Sequence, residues 1–392
     1  MKIETKAVHA GDRKRHSAAI PVTTPIYTAA SYIYEEVETL DKVFGREIPG
    51  DSYARYENPT NRALEELLSS LENGATALAC SSGMTAIQFA LTTALIDRRK
   101  HILAANALYG ATIRMLQSIF DPLGVETTWV DICDLPAVEQ AVAEHKPGCI
   151  LMETVSNPLL RVGDMRRIAQ LAASVNAALV VDNTFATPIM TRPLELGAHL
   201  VVHSLTKYLS GHGDVLGGAV ISDPSHAESL RALSRTAGPL LGPFESYLTM
   251  RGIKTFPLRF ERQCRNACHI AQWLSQQPGI ARVYFPADPK HPDAEMIRKQ
   301  FPENCFGAMI SFELKDAAQP EVFRFMDKLK LVVRATSLGD VHTMILYPTM
   351  ASHRDVSPKQ RQRMGIGDNL LRLSVGIEDP GDIIADLAQA IG

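Results

Sequence analysis

The chain has 392 residues, 46% of them hydrophobic and 21% charged, with a formal net charge of −3. That length suits two domains, or one large core with an appendage, and the composition supplies ample apolar material. The charge balance gives no bulk positive field for nucleic acid or an anionic membrane, no apolar run approaches the roughly 18 residues of a membrane span, and six cysteines make no disulfide framework.

From the N-terminus, MKIETKAVHAGDRKRHSAAIP carries charge but no apolar stretch of a secretory signal, so the cytoplasm is the expected compartment. Residues 1–60 hold Pro21, Pro25 and Pro59 and few periodic apolar positions, and are expected to form an extended arm. From residue 61 the pattern is regular. NPTNRALEELLSSLENG places Leu64, Leu67, Leu68 and Leu71 on one face and predicts a helix ended by Gly74. Short apolar runs (ATALAC, HILAA, CILME, ALVVD, HLVVHS, GGAVIS) then alternate with helical segments. Runs rich in Val, Ile and Leu read as strands buried on both faces, and their alternation with helices predicts a mostly parallel sheet. A helical region follows at about 225–277. Within it Cys264 and Cys268 share a helix face beside His269, but no second ligand pair lies nearby, so no metal site is expected. The remainder mixes strand and helix as a smaller α+β unit. The expected organisation is an arm at 1–60, a large α/β domain at 61–250 and a C-terminal domain at 251–392.

Open parallel sheets bind ligands at the carboxyl ends of their strands. Here those ends carry SSGM (81–84), Tyr109 in NALYGAT, Glu153 and Asn157 in ETVSNP, Asp182 in DNTFATP, and Ser204, Thr206 and Lys207 in HSLTK. Taken singly each is ordinary: a surface lysine, a turn aspartate, a helix start, a loop aromatic. Together they describe one chemistry. SSGM before a helix offers backbone N–H groups to a phosphate, with Ser204 and Thr206 able to add hydroxyls. Asp182 suits a buried ring cation and Tyr109 a stacking face. Lys207 supplies an amine that becomes nucleophilic when its pKa is lowered. A phosphate, a ring cation and a reactive lysine point to pyridoxal phosphate (PLP). The run GHGDVLGG misses the dinucleotide fingerprint and precedes a strand, which excludes an NAD reading.

The chain resembles the PLP-dependent enzymes of cysteine and methionine metabolism along essentially its whole length. The resemblance is carried by AVHAGD, YARYENPT (53–60), SSGMTA (81–86), LYGAT (108–112), ETVSNP (153–158), DNTFATP (182–188), HSLTKYLSGHGDVLGG (203–218), SLGD (337–340) and LLRLSVGIED (370–379). It implies the type I, aspartate-aminotransferase-like fold and a homotetramer built from dimers with shared active sites. It also implies roles for individual residues. Lys207 is the Schiff-base lysine, Asp182 the partner of the pyridine nitrogen, and Tyr109 the stacking and proton-transfer residue. Gly83, Met84, Ser204 and Thr206 hold the phosphate, while Tyr53 and Arg55 reach a neighbouring subunit's phosphate. Asn157 contacts the ring hydroxyl. Arg372, Ser337 and Thr336 meet the substrate, an arginine fork suiting its carboxylate.

Specificity in this family varies at the residue before Ser337: glutamate in cystathionine γ enzymes, tyrosine in bacterial β-lyases, a small apolar residue in methionine γ-lyases. Thr336 brings no charge for cystathionine's distal ammonium, and SLGD leans toward the methionine γ-lyases. Ala111 stands where those lyases carry a cysteine, and HTMILYPTMASHRDVS, with His342 and Ser352, departs from the common pattern. The expected activity is γ-elimination on sulfur amino acids, with γ-replacement as the alternative. An aminotransferase is disfavoured by YARYENPT and SLGD.

Overall fold

The computed structural model describes residues 1–12, 20–352, 354, 361 and 364–392. Seven strands form the larger sheet: β1 (Thr76–Cys80), β2 (His101–Ala105), β3 (Glu126–Val130), β4 (Cys149–Glu153), β5 (Ala178–Asp182), β6 (Leu200–Ser204) and β7 (Gly218–Ser222). Their order is β1-β7-β6-β5-β4-β2-β3. Neighbours from β6 to β3 pair in parallel, while β7 is antiparallel to both β1 and β6. The central strands are buried along their length, including Ile102, Ile150, Val180 and Val201. Helices cover both faces of such a sheet, and this is why the strands read as continuous apolar runs. Parallel strands end at one edge, so the segments after β1, β2, β4, β5 and β6 converge there.

The Pro59–Glu72 helix starts where the Asn58 side chain accepts from the N–H groups of Thr60 and Asn61, with proline at its first position. Its left-handed end falls on Asn73 (φ 56°), one residue before the expected Gly74. Gly74 is needed for another reason: a Cβ there would lie 2.2 Å from Cγ2 of Ile221. The first 60 residues are less irregular than their sequence suggests. They include the short helices Ile3–His9 and Val37–Phe44, which span too few turns for a periodic signal.

The predicted helical region is three helices, Ala227–Ala237, Pro243–Ile253 and Phe256–Leu274. The last joins two cores. Phe256, Phe260 and Cys264 pack with the larger sheet, whereas Ala267, Ile270 and Leu274 pack with a second. That second sheet has the order β10-β11-β12-β9-β8, built from β8 (Ile280–Tyr284), β9 (Met309–Leu314), β10 (Val333–Arg334), β11 (Met344–Leu346) and β12 (Leu370–Ser374). Ser311 on β9 faces Arg372 on β12 and donates from Oγ to the Pro158 carbonyl at 2.6 Å. This contact sets β12 against the loop after β4, which brings Arg372 to the edge where the larger sheet's strands end. Among the described residues no helix is long and apolar enough to cross a membrane.

Candidate active site

A cavity of about 390 Å³ opens at that edge. It is lined by Gly83, Met84, Tyr109, Asn157, Asp182, Ser204, Thr206, Lys207, Thr336 and Arg372, so ten of the thirteen sequence-predicted site residues meet in one place. Ser337 adjoins it through a hydrogen bond in which Lys207 Nζ donates to Ser337 Oγ at 3.0 Å. Tyr53 and Arg55 lie elsewhere. Arg55 lines a separate surface cavity, its guanidinium 4.7 Å from the Tyr56 ring centroid and 5.6 Å from that of Tyr53.

The floor is built from adjacent strand ends. Asp182 closes β5 and accepts from Thr184 N–H at 3.0 Å and from Thr184 Oγ1 at 2.6 Å. Burial pushes its carboxyl above the ordinary value, and the Thr184 hydrogen bonds oppose that push. Glu153 closes β4 and accepts from the N–H of Tyr109 at 2.6 Å and of Asn157 at 3.2 Å. Its carboxyl stands well above the usual range, first from burial and then from the facing Asp182.

One wall is a helix N-terminus. Ser82 Oγ accepts from Thr85 N–H at the start of the Gly83–Ala94 helix. The N–H groups of Gly83 and Met84 therefore have no acceptor inside the helix, as first-turn amides do not. A Cβ on Gly83 would lie 3.0 Å from Ser204 Cβ, so glycine keeps the Ser204 hydroxyl close to that terminus. Thr206 Oγ1 accepts from the Gly217 N–H at 3.0 Å, bracing the turn that carries Lys207.

The cationic side faces this wall. Burial, then the Arg372 charge, lowers the Lys207 amine to about 8. Arg372 is itself buried, which lowers its guanidinium to about 10. It donates from Nη1 to Asn157 Oδ1 at 2.9 Å and from Nη2 to the Ser337 carbonyl at 3.4 Å, and its Nε has no partner. Beyond it the cavity is lined by Leu216, Thr336, Leu338, Ala351 and Ser352. Part of HTMILYPTMASHRDVS lies outside the described residues.

Thr184 and Phe185 also line the cavity and were missed in the sequence. Both sit inside DNTFATP, where Asp182 drew attention. A hydroxyl two residues after a strand-end aspartate was the available signal, since that spacing suits a local turn. Elsewhere, Cys264 Sγ lies 3.7 Å from Cys305 Sγ.

Residues 4–392 match the model of a family described as Cys/Met metabolism PLP-dependent enzymes. The chain is 40% identical over 390 residues to L-methionine gamma-lyase of Fusobacterium nucleatum subsp. polymorphum, covering 99% of this chain and 97% of that protein. It is 38% identical over 392 residues to O-succinylhomoserine sulfhydrylase of Pseudomonas aeruginosa, covering 99% and 94%. A crystal structure of cystathionine gamma synthase from Xanthomonas oryzae pv. oryzae, in complex with aminoacrylate and cysteine, superposes with a TM-score of 0.92 at 34% identity, covering 100% of this chain and 98% of that one.

Proposed function

The chain belongs to the PLP-dependent enzymes of cysteine and methionine metabolism, and from that premise we propose that it cleaves the Cγ–S bond of sulfur amino acids by γ-elimination. Water is consumed, and the products are 2-oxobutanoate, ammonia and a thiol. The observation that carries this reading is the outer wall of the cavity. Among the described lining residues the carboxylates are Glu153 and Asp182, both in the floor, whereas the wall at Thr336, Leu338, Leu216 and Ala351 is uncharged. A short neutral thioether tail suits that wall better than the distal ammonium of cystathionine.

The residues fit the family's cofactor. A helix N-terminus without internal acceptors, beside Ser204 and Thr206, suits a phosphate. Half-buried Asp182, held by Thr184, suits a protonated pyridine nitrogen, and Tyr109 offers an exposed ring in the cavity lining. Bound there, pyridoxal phosphate supplies an aldehyde that condenses with amines and an electron sink for the charge left by a departing proton.

The chain's own residues do the rest. Lys207, with its amine lowered to about 8, is neutral often enough near pH 7 to take the proton from the substrate's Cα. It is also the group placed to take the second proton, from Cβ, as the bond to sulfur breaks, and to pass a proton to the leaving sulfur, with the Tyr109 hydroxyl as the second candidate. Arg372 grips the substrate carboxylate in a fork: its tie to Asn157 keeps it pre-formed, and its unpartnered Nε leaves a donor for that contact. Ser337 orients the Lys207 amine.

The first 60 residues are proposed as an arm that covers a neighbouring copy in a homotetramer, ahead of the large domain at 61–250 and the C-terminal domain at 251–392. Val22, Ile33, Val37 and Phe44 are apolar and exposed on it, and Tyr53 and Arg55 stand away from their own chain's cavity. A cytoplasmic location follows from the same reading.

The deciding experiment gives the purified holoenzyme methionine, homocysteine, cystathionine and O-acetylhomoserine separately, each with and without added thiol. The expected result is 2-oxobutanoate and ammonia from methionine or homocysteine alone. A new thioether formed mainly from O-acetylhomoserine plus thiol would overturn elimination in favour of γ-replacement.

A further inference from the structure

The Phe256–Leu274 helix does more than join two cores. Arg259 and Gln263 stand one turn apart on it, so both face the same side. Both are buried, Arg259 at 6% and Gln263 at 0% exposure. Neither can be a simple filler there, because burying a guanidinium or an amide is costly unless its donors are used.

Arg259 spends its donors on the turn that carries Lys207. Nη1 donates to the Tyr208 carbonyl at 3.0 Å and Nη2 to the Leu209 carbonyl at 3.3 Å, and Nη2 also reaches the Gly252 carbonyl at 2.9 Å. The fit is tight. Gly211 has φ +71°, and a Cβ there would lie 1.9 Å from Arg259 Nη1. Gln263 takes hold of a different segment: its Nε2 donates to the Asp340 carbonyl at 2.7 Å. Asp340 closes the turn that begins with Ser337. The two segments also touch directly. Val341 N–H donates to the Gly211 carbonyl at 3.0 Å, and Gly339 (φ +75°) packs so close to Tyr208 N that a Cβ would lie 2.6 Å away.

One helix face therefore grips the Lys207 turn with one residue and the Ser337–Asp340 turn with the next. Between those turns runs the 3.0 Å hydrogen bond from Lys207 Nζ to Ser337 Oγ. We infer that Arg259 and Gln263 are positioning residues for the reaction: they set the spacing between Lys207 and Ser337 and so aim the Lys207 amine. The inference rests on the reading of Lys207 as the amine that carries the cofactor and moves the substrate proton.

A lysine at 259 keeps the charge but is a point donor that cannot span these carbonyls as a planar fork does. A leucine at 263 keeps the bulk and loses the donor to Asp340. Neither change touches the Arg372 grip on the substrate carboxylate. In the holoenzyme, Arg259→Lys and Gln263→Leu are each expected to lower kcat on the order of 10- to 100-fold with little change in KM, because a misaimed amine costs rate rather than binding. Both are also expected to alter the visible circular dichroism of the bound cofactor, which reports its orientation in the site. A purely structural role would lower the melting temperature while leaving kcat and the visible signal of the folded enzyme unchanged, and that result overturns the inference. A rise in KM alone overturns it as well. If Arg259→Lys fails to fold, Gln263→Leu, which keeps the Arg259 contacts, decides. Lys207→Ala is run in parallel. If it retains the visible band, the reading of Lys207 has failed; if it loses the band while both helix variants behave as the parent, the positioning inference alone has failed.

Discussion

Glu153 and Asp182 are register partners on the parallel strands β4 and β5, so two carboxyls stand side by side in the floor of one cavity. The same backbone geometry gives them different donors. Glu153 is held by the N–H groups of Tyr109 and Asn157, and Asp182 by Thr184. Burial raises both, and Asp182 adds to the rise at Glu153. Like charges this close do not ionise independently, so a proton retained on Glu153 favours the ionised form of Asp182. Two neighbouring carboxyls are thereby separated into one that organises backbone and one that is free to face a cation.

This arrangement has a signature in stability. A carboxyl raised by folding binds its proton more tightly in the folded state than in the unfolded one. Its contribution is then fully present below the unfolded value near 4.5 and is lost as pH rises through the raised value. Thermal unfolding of the cofactor-free chain is expected to show a melting temperature that declines as pH rises above the ordinary carboxylate range. Glu153→Gln is expected to flatten that decline. An unchanged slope in the variant would assign the pH dependence to other groups.

Lys207 gives a prediction of opposite sign. Its folded amine lies at about 8, below the ordinary 10.5, so the neutral, nucleophilic form appears as pH rises through about 8. The rate at which the cofactor-free chain takes up PLP, followed by the growth of visible absorbance, should climb with pH and level off above about 8. Lys207→Ala should show no such absorbance and no turnover. A rate that keeps climbing toward 10 would mean that the amine is not lowered.

The role proposed for Arg372 joins substrate and lysine, because the guanidinium that would grip the carboxylate also helps lower Lys207. Arg372→Lys keeps a charge but loses the fork, and a charge-assisted hydrogen bond contributes about 1.5–3 kcal/mol. KM for the amino acid should therefore rise roughly 10- to 100-fold. Arg372→Met removes the charge that helps lower Lys207, so the pH midpoint of PLP uptake should also move upward. Steady-state kinetics and the uptake profile separate the two effects.

The larger sheet was legible because strands buried on both faces must be apolar throughout, and each such run in the sequence ended in polar residues. Lys207, Asp182 and Tyr109 could be found that way. Arg372 was found through the resemblance alone, since an arginine on a strand carries no local sign that Asn157, 215 residues away, will hold it. Thr184, Arg259 and Gln263 were missed for a related reason. Their partners are carbonyls, or a carboxylate already noticed for itself, and a backbone acceptor leaves no mark in a sequence. Asn73 shows the limit in miniature: glycine was the expected helix end, but the glycine here answers to Ile221 across the core.

Thr336 tests the substrate. It is exposed and shares the uncharged wall of the cavity with Leu216 and Leu338. Thr336→Glu places a carboxylate where the distal ammonium of cystathionine would lie. An ion pair at so open a position contributes only about 0.2–1 kcal/mol, because water and salt screen it. The ratio of kcat/KM for cystathionine to that for methionine should therefore rise by no more than about fivefold, and the gain should shrink as ionic strength increases. The added charge should also raise KM for methionine, whose neutral tail would now pass a hydrated carboxylate. A rise far above that bound would mean that residue 336 is desolvated when substrate is held, as it would be under the proposed arm of a neighbouring copy. No change in the ratio would mean that the distal group does not pass this wall, and specificity would then be set nearer Ser352.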